Sequence, residues 1–328
     1  MIIVLDEAYR PASDGRFSGH DLRYYASDLD DAATFAHLLA PATVLGLRRP
    51  LDFSLEPSLL DGATSLQFIQ KSGSGADWFD VDALNARGIL LATNVGVNAA
   101  SVAEHTVLLT LLCLRGAFAP MQQLRHGAWD RASTHPPAAL LDGKTVGIVG
   151  MGSIGTRVAR AMLGLGARVI ATRAPREALP EVTVMPLDDL LQAADVLTLH
   201  VPLTETTRGM IGTRELALLK PSATIVNTSR GQVIDEAALY DALRDGRLRA
   251  AGLDVFVEEP TPRDNPLLAL PNVVSTPHIA GVAAEITARQ LEYTIDNIER
   301  FLAGDVPERL INPELLEAPG LRAKQLRR

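Results

Sequence analysis

The sequence is poor in cysteine and carries no excess of basic charge. Cys113 is the only cysteine among 328 residues, which excludes an internal disulfide. Because it lies within the apolar run 107–114, a buried and unreactive thiol is expected there. The formal net charge of -8 argues against nucleic acid as a partner, since nucleic-acid binders present basic patches. An anionic ligand would therefore need cations placed locally.

Targeting and metal-binding signals are also absent from the sequence. Residues 1–6 lack the basic start and long apolar core of a signal peptide, and no apolar run reaches the roughly 18 residues of a membrane span. These absences favour a soluble, cytoplasmic protein with no membrane partner. No His, Cys and Asp cluster has metal-ligand spacing, so no metal is predicted. A serine hydrolase is unsupported because no G-x-S-x-G motif follows a predicted strand.

A G-x-G-x-x-G pattern is the most informative motif that the chain does contain. It lies between the apolar segment 145–149 and residues 156–165, whose apolar positions have helical spacing. A strand, this turn and a helix predict the phosphate-binding corner of a dinucleotide-binding βαβ unit. The expected cofactor contacts here are Gly150, Gly152, Ser153, Ile154 and Gly155. The first glycine permits the tight turn, the second lets backbone approach a pyrophosphate, and the third allows close helix packing. The alternative is a tight turn with no ligand.

Short apolar segments alternate with helical or loop segments on both sides of this motif. Such alternation predicts parallel sheets with helices on their faces, and the length allows two domains. The predicted strands are 1–6, 42–47, 66–71, 88–92, 145–149, 167–172, 182–185, 196–201, 224–227, 250–254 and 273–275. The predicted helices are 98–115, 156–165, 187–193, 214–219, 235–245 and 282–302, with 28–39 helix or loop and a loop after 115. The apolar tail 310–313 is expected to pack back onto the first domain.

The end of the second strand of the βαβ unit predicts which dinucleotide binds. NAD sites of this type place an acidic residue there to bind the ribose hydroxyls. This chain has Thr172 and Arg173, with Arg176 close behind. A guanidinium can bind a 2′-phosphate through two hydrogen bonds, and Thr172 adds a hydroxyl donor. We therefore expect NADP(H) to be preferred over NAD(H), unless the arginines are merely solvated and specificity is loose.

Three later motifs place an arginine, a glutamate and a histidine after successive predicted strands. Arg230 follows the strand 224–227, Glu259 follows 250–254, and His278 follows 273–275. Ligands of doubly wound sheets bind at the carboxyl ends of strands. These three side chains are therefore expected to converge on the cofactor cleft.

On these motifs the chain resembles the D-isomer-specific 2-hydroxyacid dehydrogenase family over nearly its whole length. Further matching segments are 72–77, 98–105 and 199–204. The resemblance implies two doubly wound α/β domains, with a Rossmann cofactor domain inserted in a smaller flavodoxin-like substrate domain. The expected bounds are 98–287 for the cofactor domain and 1–97 plus 288–328 for the substrate domain.

By this resemblance Arg230, Glu259 and His278 take the catalytic places of the family. Glu258 is the rival carboxylate, but the catalytic glutamate of the family directly precedes the proline. Arg230 can pair with a substrate carboxylate and polarise its 2-carbonyl, while His278 exchanges a proton with that oxygen. Glu259 can orient the imidazole and favour its protonated form. In the alternative, His278 caps a strand end and Glu259 is a surface carboxylate.

The resemblance also assigns binding residues. The loop 72–75 would bind the substrate carboxylate through Ser74 and Gly75, where successive N–H groups can form an anion-binding nest. An ordinary glycine-rich turn is the alternative. Asp254 would face the nicotinamide, and His105 is expected to be structural. The other expected cofactor neighbours are Thr106, His200, Pro202, Thr207, Thr228, Ser229, Arg230, His278 and Gly281.

The implied activity is hydride transfer between NADP(H) and a small 2-oxo or D-2-hydroxy acid, glyoxylate and hydroxypyruvate being typical. One alternative is a related dehydrogenase of phosphoglycerate or phosphite, and another is a non-catalytic dinucleotide sensor. Formate oxidation is disfavoured, because relatives with that activity usually carry Gln at the position of Glu259. The resemblance also implies a homodimer in which the helix 98–115 takes part. Alternatively that helix faces only the core of its own chain.

Overall fold

A computed structural model describes residues 1–26, 28–29, 31–48, 55, 57–130, 136–174 and 179–326. The chain divides into two compact units, the first made of Met1–Asn98 with Ala283–Arg328 and the second of Ala99–Val282. The second unit is thus an insertion in the first. From the sequence, these boundaries are expected after residues 97 and 287.

Unit 1 contains a five-stranded parallel sheet. Its strands are β1 (Ile2–Asp6), β2 (Asp21–Tyr25), β3 (Val44–Leu47), β4 (Phe68–Lys71) and β5 (Leu90–Thr93). The order β2-β1-β3-β4-β5 is the flavodoxin-like order, which confirms the expected fold class of this unit. The strands β3, β4 and β5 are buried along their whole length. The apolar residues of β3 and β5 predict this burial, whereas β4 also buries Gln70 and Lys71. β2 was not predicted, because this edge strand is partly exposed and its sequence is DLRYY.

The helices of unit 1 are α1 (Arg10–Ser13), α2 (Ala32–Leu39), α3 (Pro57–Gly62), α4 (Val81–Ala86) and α11 (Ala284–Leu302), which is numbered in chain order. On α11, Phe301 stacks on Phe68 of β4, with 4.9 Å between the ring centroids. The tail returns to the sheet, where the Ile311 amide donates to Leu91 O at 2.8 Å. The expected packing of this tail is therefore confirmed.

Unit 2 contains a seven-stranded parallel sheet. Its strands are β6 (Thr145–Val149), β7 (Arg168–Ala171), β8 (Thr183–Val184), β9 (Val196–Leu199), β10 (Thr224–Asn227), β11 (Ala250–Leu253) and β12 (Val273–Ser275). The order is β12-β11-β10-β9-β6-β7-β8. Counted from β6, this is the Rossmann order 3-2-1-4-5-6 with one further strand, as predicted. Each of the seven strands lies within a predicted segment.

The helices of unit 2 are α5 (Ala99–Arg115), α6 (Phe118–Arg125), α7 (Ser153–Gly164), α8 (Leu187–Ala193), α9 (Thr213–Leu218) and α10 (Glu236–Arg244). The prediction of a loop after 115 was wrong for α6, none of whose residues is buried. Short 3-10 helices cover Glu7–Tyr9, Gly231–Val233, Pro266–Ala269 and Pro313–Glu317. Cys113 of α5 is buried, and burial raises its thiol pKa to about 12, as expected of an unreactive cysteine.

Within the described residues, no single helix is a candidate membrane span and no side-chain group is a candidate metal site. None of the helices described is by itself long and apolar enough to cross a bilayer; α5 and α6 meet that criterion only together and are bent by 79°. Over the same part of the chain, three or more His, Cys, Asp or Glu side chains never group closely enough to hold a metal ion.

Candidate active site

The glycine-rich corner between β6 and α7 has the geometry that a pyrophosphate requires. Gly150 has φ 101°, a conformation that side chains rarely adopt, and a Cβ there would lie 2.5 Å from His200 O. A Cβ on Gly155 would lie 2.1 Å from Gly150 O, so turn and helix pack closely. Around Gly152, in contrast, a Cβ would meet nothing within 4 Å, which leaves the backbone approachable. Among the described residues, no side chain caps the start of α7, so its N–H groups suit an anion.

The ribose-recognition position lies directly after β7. This strand ends at Ala171, and Thr172 and Arg173 follow it. The Arg173 side chain is exposed, and Thr172 is partly buried. Arg176 lies outside the described residues. The end of β7 thus presents a cation and a hydroxyl where an NAD site would present a carboxylate.

The backbone that carries Arg230 is shaped by the last residue of β10. The Asn227 side chain accepts from the Ser229 amide at 3.0 Å and from its hydroxyl at 2.8 Å. It also donates to Arg230 O at 2.8 Å. In addition, the Arg230 guanidinium donates to Ser229 O at 2.7 Å. This tight turn places a partly buried guanidinium at the carboxyl end of β10.

His278 and Glu259 form a direct pair, at 2.6 Å between Nδ1 and Oε2. The other carboxylate oxygen of Glu259 accepts from the Phe256 amide at 2.9 Å. Burial raises the pKa of Glu259, but the hydrogen bonds from His278 and Phe256 outweigh it, so this pKa lies below its ordinary value. Glu259, and not its rival Glu258, is therefore the carboxylate that contacts the imidazole.

The backbone at His278 is strained and is fixed by Asp254. His278 has φ 53°, the left-handed region that a non-glycine residue rarely adopts. Its amide donates to Asp254 O at 2.8 Å. The buried Asp254 carboxylate accepts from the Ile279 and Ala280 amides at 2.9 and 2.8 Å. Strained backbone of this kind persists only when its surroundings over-determine it.

Several expected cofactor neighbours lie at the carboxyl edge of the same sheet. His200 follows β9, and its Nε2 lies 3.0 Å from the Thr198 hydroxyl. The Thr207 hydroxyl donates to Pro202 O at 2.6 Å and so holds the following loop together. Thr106 is fully buried, with its hydroxyl 2.9 Å from that of Thr228. Gly281, the remaining member of this set, is partly buried at the end of the His278 loop.

The expected carboxylate-binding loop belongs to unit 1 and follows β4. Gly73 has φ 83°, and the Asn94 amide donates to its carbonyl at 2.8 Å. The Ser72 side chain is held in place, since its hydroxyl accepts from the Tyr9 hydroxyl at 2.7 Å. Within the described residues, the amides of Ser74 and Gly75 have no protein acceptor among the backbone hydrogen bonds. Two adjacent N–H groups are thus available to an anion.

No role was predicted for some of the residues that organise this site. Asn227 shapes the turn of Arg230, and the Thr276 hydroxyl donates to Asp254 at 2.5 Å. Asparagine directly after a strand is a turn-forming signal that could have identified the first. No local signal identifies Thr276, because its partner is 22 positions away.

Known proteins of similar sequence indicate the family to which this site belongs. The sequence profile described as "D-isomer specific 2-hydroxyacid dehydrogenase, NAD binding domain" matches residues 107–280, more than half of the chain. A glyoxylate reductase from Korarchaeum cryptofilum is 38% identical over 277 residues, which cover 82% of this chain and 83% of that relative.

Two further similarities differ in the reaction that they name. A D-3-phosphoglycerate dehydrogenase from Methanocaldococcus jannaschii is 39% identical over 259 residues, or 77% of this chain and 49% of the relative, so the chain spans about half the length of that protein. The crystal structure of an NADPH-dependent glyoxylate/hydroxypyruvate reductase from Sinorhizobium meliloti superposes with a TM-score of 0.82 at 28% identity. That match covers 100% of this chain and 99% of the other.

Proposed function

Because the chain belongs to the D-isomer-specific 2-hydroxyacid dehydrogenase family and is thus an NAD(P)-dependent oxidoreductase, we propose that it reduces small 2-oxo acids with NADPH. Glyoxylate and hydroxypyruvate are the proposed substrates. The observation that carries this proposal is the 2.6 Å pair of His278 and Glu259 at the carboxyl edge of a Rossmann sheet. A non-catalytic dinucleotide sensor would have no need of an oriented imidazole there.

His278 is the proposed general acid. Its Nδ1 is engaged by Glu259, which leaves Nε2 to face the reacting oxygen. In reduction the proton on Nε2 passes to the oxygen of the 2-carbonyl while that carbon receives a hydride; in oxidation Nε2 takes the proton back. The carboxylate of Glu259 fixes the orientation of the ring and stabilises the charge of the imidazolium. The side chain of His278 is 49% exposed in unit 2, so a substrate can reach it.

Arg230, Ser74 and Gly75 are the proposed substrate-binding residues. A guanidinium matches a carboxylate with two parallel hydrogen bonds, and it also draws electron density from the neighbouring 2-carbonyl. The amides of Ser74 and Gly75 are donors without a backbone acceptor in the described part of the chain, as a carboxylate site requires. Each of these donor groups suits the carboxylate that all 2-oxo acids share.

The glycine-rich corner and the end of β7 are the proposed dinucleotide site. A bound nicotinamide dinucleotide supplies or accepts the hydride. The open backbone at Gly152 and the uncapped start of α7 fit a pyrophosphate, while Arg173 and Thr172 fit a 2′-phosphate. The preference for NADP(H) rests on this cation, since an acidic residue at the same position would repel that phosphate.

A homodimer is the proposed assembly, formed through α5 and α6. Four large apolar side chains on these consecutive helices are exposed, namely Leu108, Phe118, Met121 and Leu124. Exposed apolar groups in such number commonly mark a protein interface. A twofold arrangement would cover them with the same residues of a second copy.

A substrate panel tests the proposed function. Turnover would be measured with glyoxylate, hydroxypyruvate and 3-phosphohydroxypyruvate, each with NADPH and with NADH. We expect the highest kcat/KM with NADPH and one of the first two acids. NADPH at a hundred times its Kd should also stabilise the fold by about 2.7 kcal/mol, which detects binding apart from turnover. Binding without turnover of any acid would favour a sensor.

Phosphoglycerate dehydrogenation is the second candidate, favoured by the 39% identity to the relative that carries that name. The same panel separates it from the first candidate. A kcat/KM for 3-phosphohydroxypyruvate above that for glyoxylate would replace the first proposal with the second.

A further inference from the structure

The loop that carries His278 is fastened at both ends to one face of α5. Near its far end, the Ser101 hydroxyl donates to Ala280 O at 2.7 Å. At its near end, His105 Nε2 lies 2.9 Å from the Thr276 hydroxyl. Residues four apart lie on the same face of a helix, one turn from each other. We propose that Ser101 and His105 are positioning residues, which set the place of His278 in the reaction without contacting substrate.

The protons of this arrangement can be assigned. The Thr276 hydroxyl has one proton and donates it to the Asp254 carboxylate, whose two oxygens also accept from the Ile279 and Ala280 amides. The contact between Thr276 and His105 must therefore be a donation from Nε2–H of the imidazole. His105 Nε2 also lies 3.6 Å from Asp254 Oδ1. His105 thus holds the Thr276 hydroxyl in place. That hydroxyl in turn holds the Asp254 carboxylate, which accepts from the amides that follow His278.

The helix supplies a rigid base for these contacts. Further along α5, Leu109 and Cys113 are buried in a cluster with Val226 of β10, Ala250 of β11 and Val274 of β12. The helix is thus packed firmly against the strands from whose ends Asp254 and His278 emerge. Because the left-handed backbone of His278 is strained, its retention depends on such external supports. Loss of either one would let the loop relax and move the imidazole away from Glu259.

Ser101→Ala and His105→Leu each remove one support. This inference rests on the proposed function, so we pair kinetics with a measurement that needs no turnover. Because misplacement by about 1 Å can cost about 100-fold in rate, we expect kcat to fall about 10- to 100-fold in each variant, with the Kd for NADPH little changed. His105→Gln keeps a side-chain N–H and should recover most of the loss. Thr110→Val on α5 is the control, since it removes a hydroxyl that bonds only within the helix, to Thr106 O.

Hydrogen exchange of residues 276–280 supplies the second measurement. The amides of His278, Ile279 and Ala280 all donate to Asp254, so they should exchange faster in both support variants and not in Thr110→Val. Unchanged exchange, or an equal loss of kcat in Thr110→Val, would overturn the proposal. If the wild-type protein turned over no acid, the proposed function would fail, while faster exchange would still uphold the two supports. Should His105→Leu not fold, Ser101→Ala removes a single oxygen and gives the same test.

Discussion

Glu259 Oε2 lies 2.6 Å from Nδ1 of His278, and the second oxygen of the same carboxylate is held by a backbone amide. The carboxylate is thus fixed before it acts on the imidazole. Its position determines which ring nitrogen is left for substrate, so the pair is more than a surface ion pair.

Glu259→Gln should lower kcat by about 100-fold, because general acid catalysis of this kind contributes about 100- to 10,000-fold and depends on the orientation and charge of the ring. Steady-state reduction of the preferred 2-oxo acid measures it. Glu258→Gln makes the same charge change at the neighbouring exposed carboxylate and should leave kcat unaltered. Equal losses of kcat in the two variants would contradict the assignment of Glu259 as the carboxylate that orients His278.

Glu259→Gln should also change how the free energy of unfolding depends on pH. The pKa of Glu259 is lower in the folded protein than its ordinary value of 4.5, so the pair stabilises the fold fully above that value. This stabilisation is lost as the pH falls through the lowered folded pKa. The free energy of unfolding should therefore fall less steeply below about pH 4.5 in Glu259→Gln than in wild type. Parallel curves for the two proteins would exclude the effect.

Arg173→Ala should reduce kcat/KM for NADPH by at least about 10-fold and leave that for NADH nearly constant, because only NADPH carries the 2′-phosphate. Kinetics with both cofactors measure the ratio. Arg168→Ala provides the control, since this exposed arginine begins β7 at its opposite end. If both variants lost NADPH activity equally, the effect would be one of net charge and not of recognition.

His200 should make the protein sensitive to mild acid. Burial lowers its pKa to about 3, so the folded protein keeps it neutral where the unfolded chain, with a pKa of about 6.5, becomes protonated. Between these values the unfolded state binds more protons, and stability falls by up to about 1.4 kcal/mol per pH unit as the pH drops. Denaturant unfolding from pH 7 to 4 should show a shallower decline in His200→Gln. His37→Gln, at an exposed position on α2, should not alter the slope.

Leu108→Glu and Met121→Glu should produce monomers if α5 and α6 form the dimer interface, because a buried unpaired carboxylate is costly. Light scattering after gel filtration measures the molecular mass. Leu165→Glu replaces another exposed leucine, just after α7, and should leave the dimer intact. A wild-type protein that is monomeric at micromolar concentration would refute the proposed assembly.

Local patterns predicted most of the secondary structure, and the failures have physical causes. The strands of unit 2 were predictable because a parallel sheet buries both faces, so each strand is a short apolar run between turns. The edge strand β2 and the helix α6 were missed because neither is well buried.

The sequence alone determined the glycine-rich corner between β6 and α7 and the cation, Arg173, that follows β7. Both depend on residues that are adjacent in the chain. The spacing of the glycines sets the shape of the turn, and the residue that follows the strand lies at the ribose-binding position. The resemblance already favoured Glu259 over Glu258, but only the tertiary structure showed that Glu259 contacts His278 and that Ser101 and His105 hold the loop that carries it. His105 and Thr276 lie 171 positions apart, and their contact exists because α5 packs against β11 and β12. A local pattern cannot encode such a contact, since it depends on how the helix and the sheet pack together.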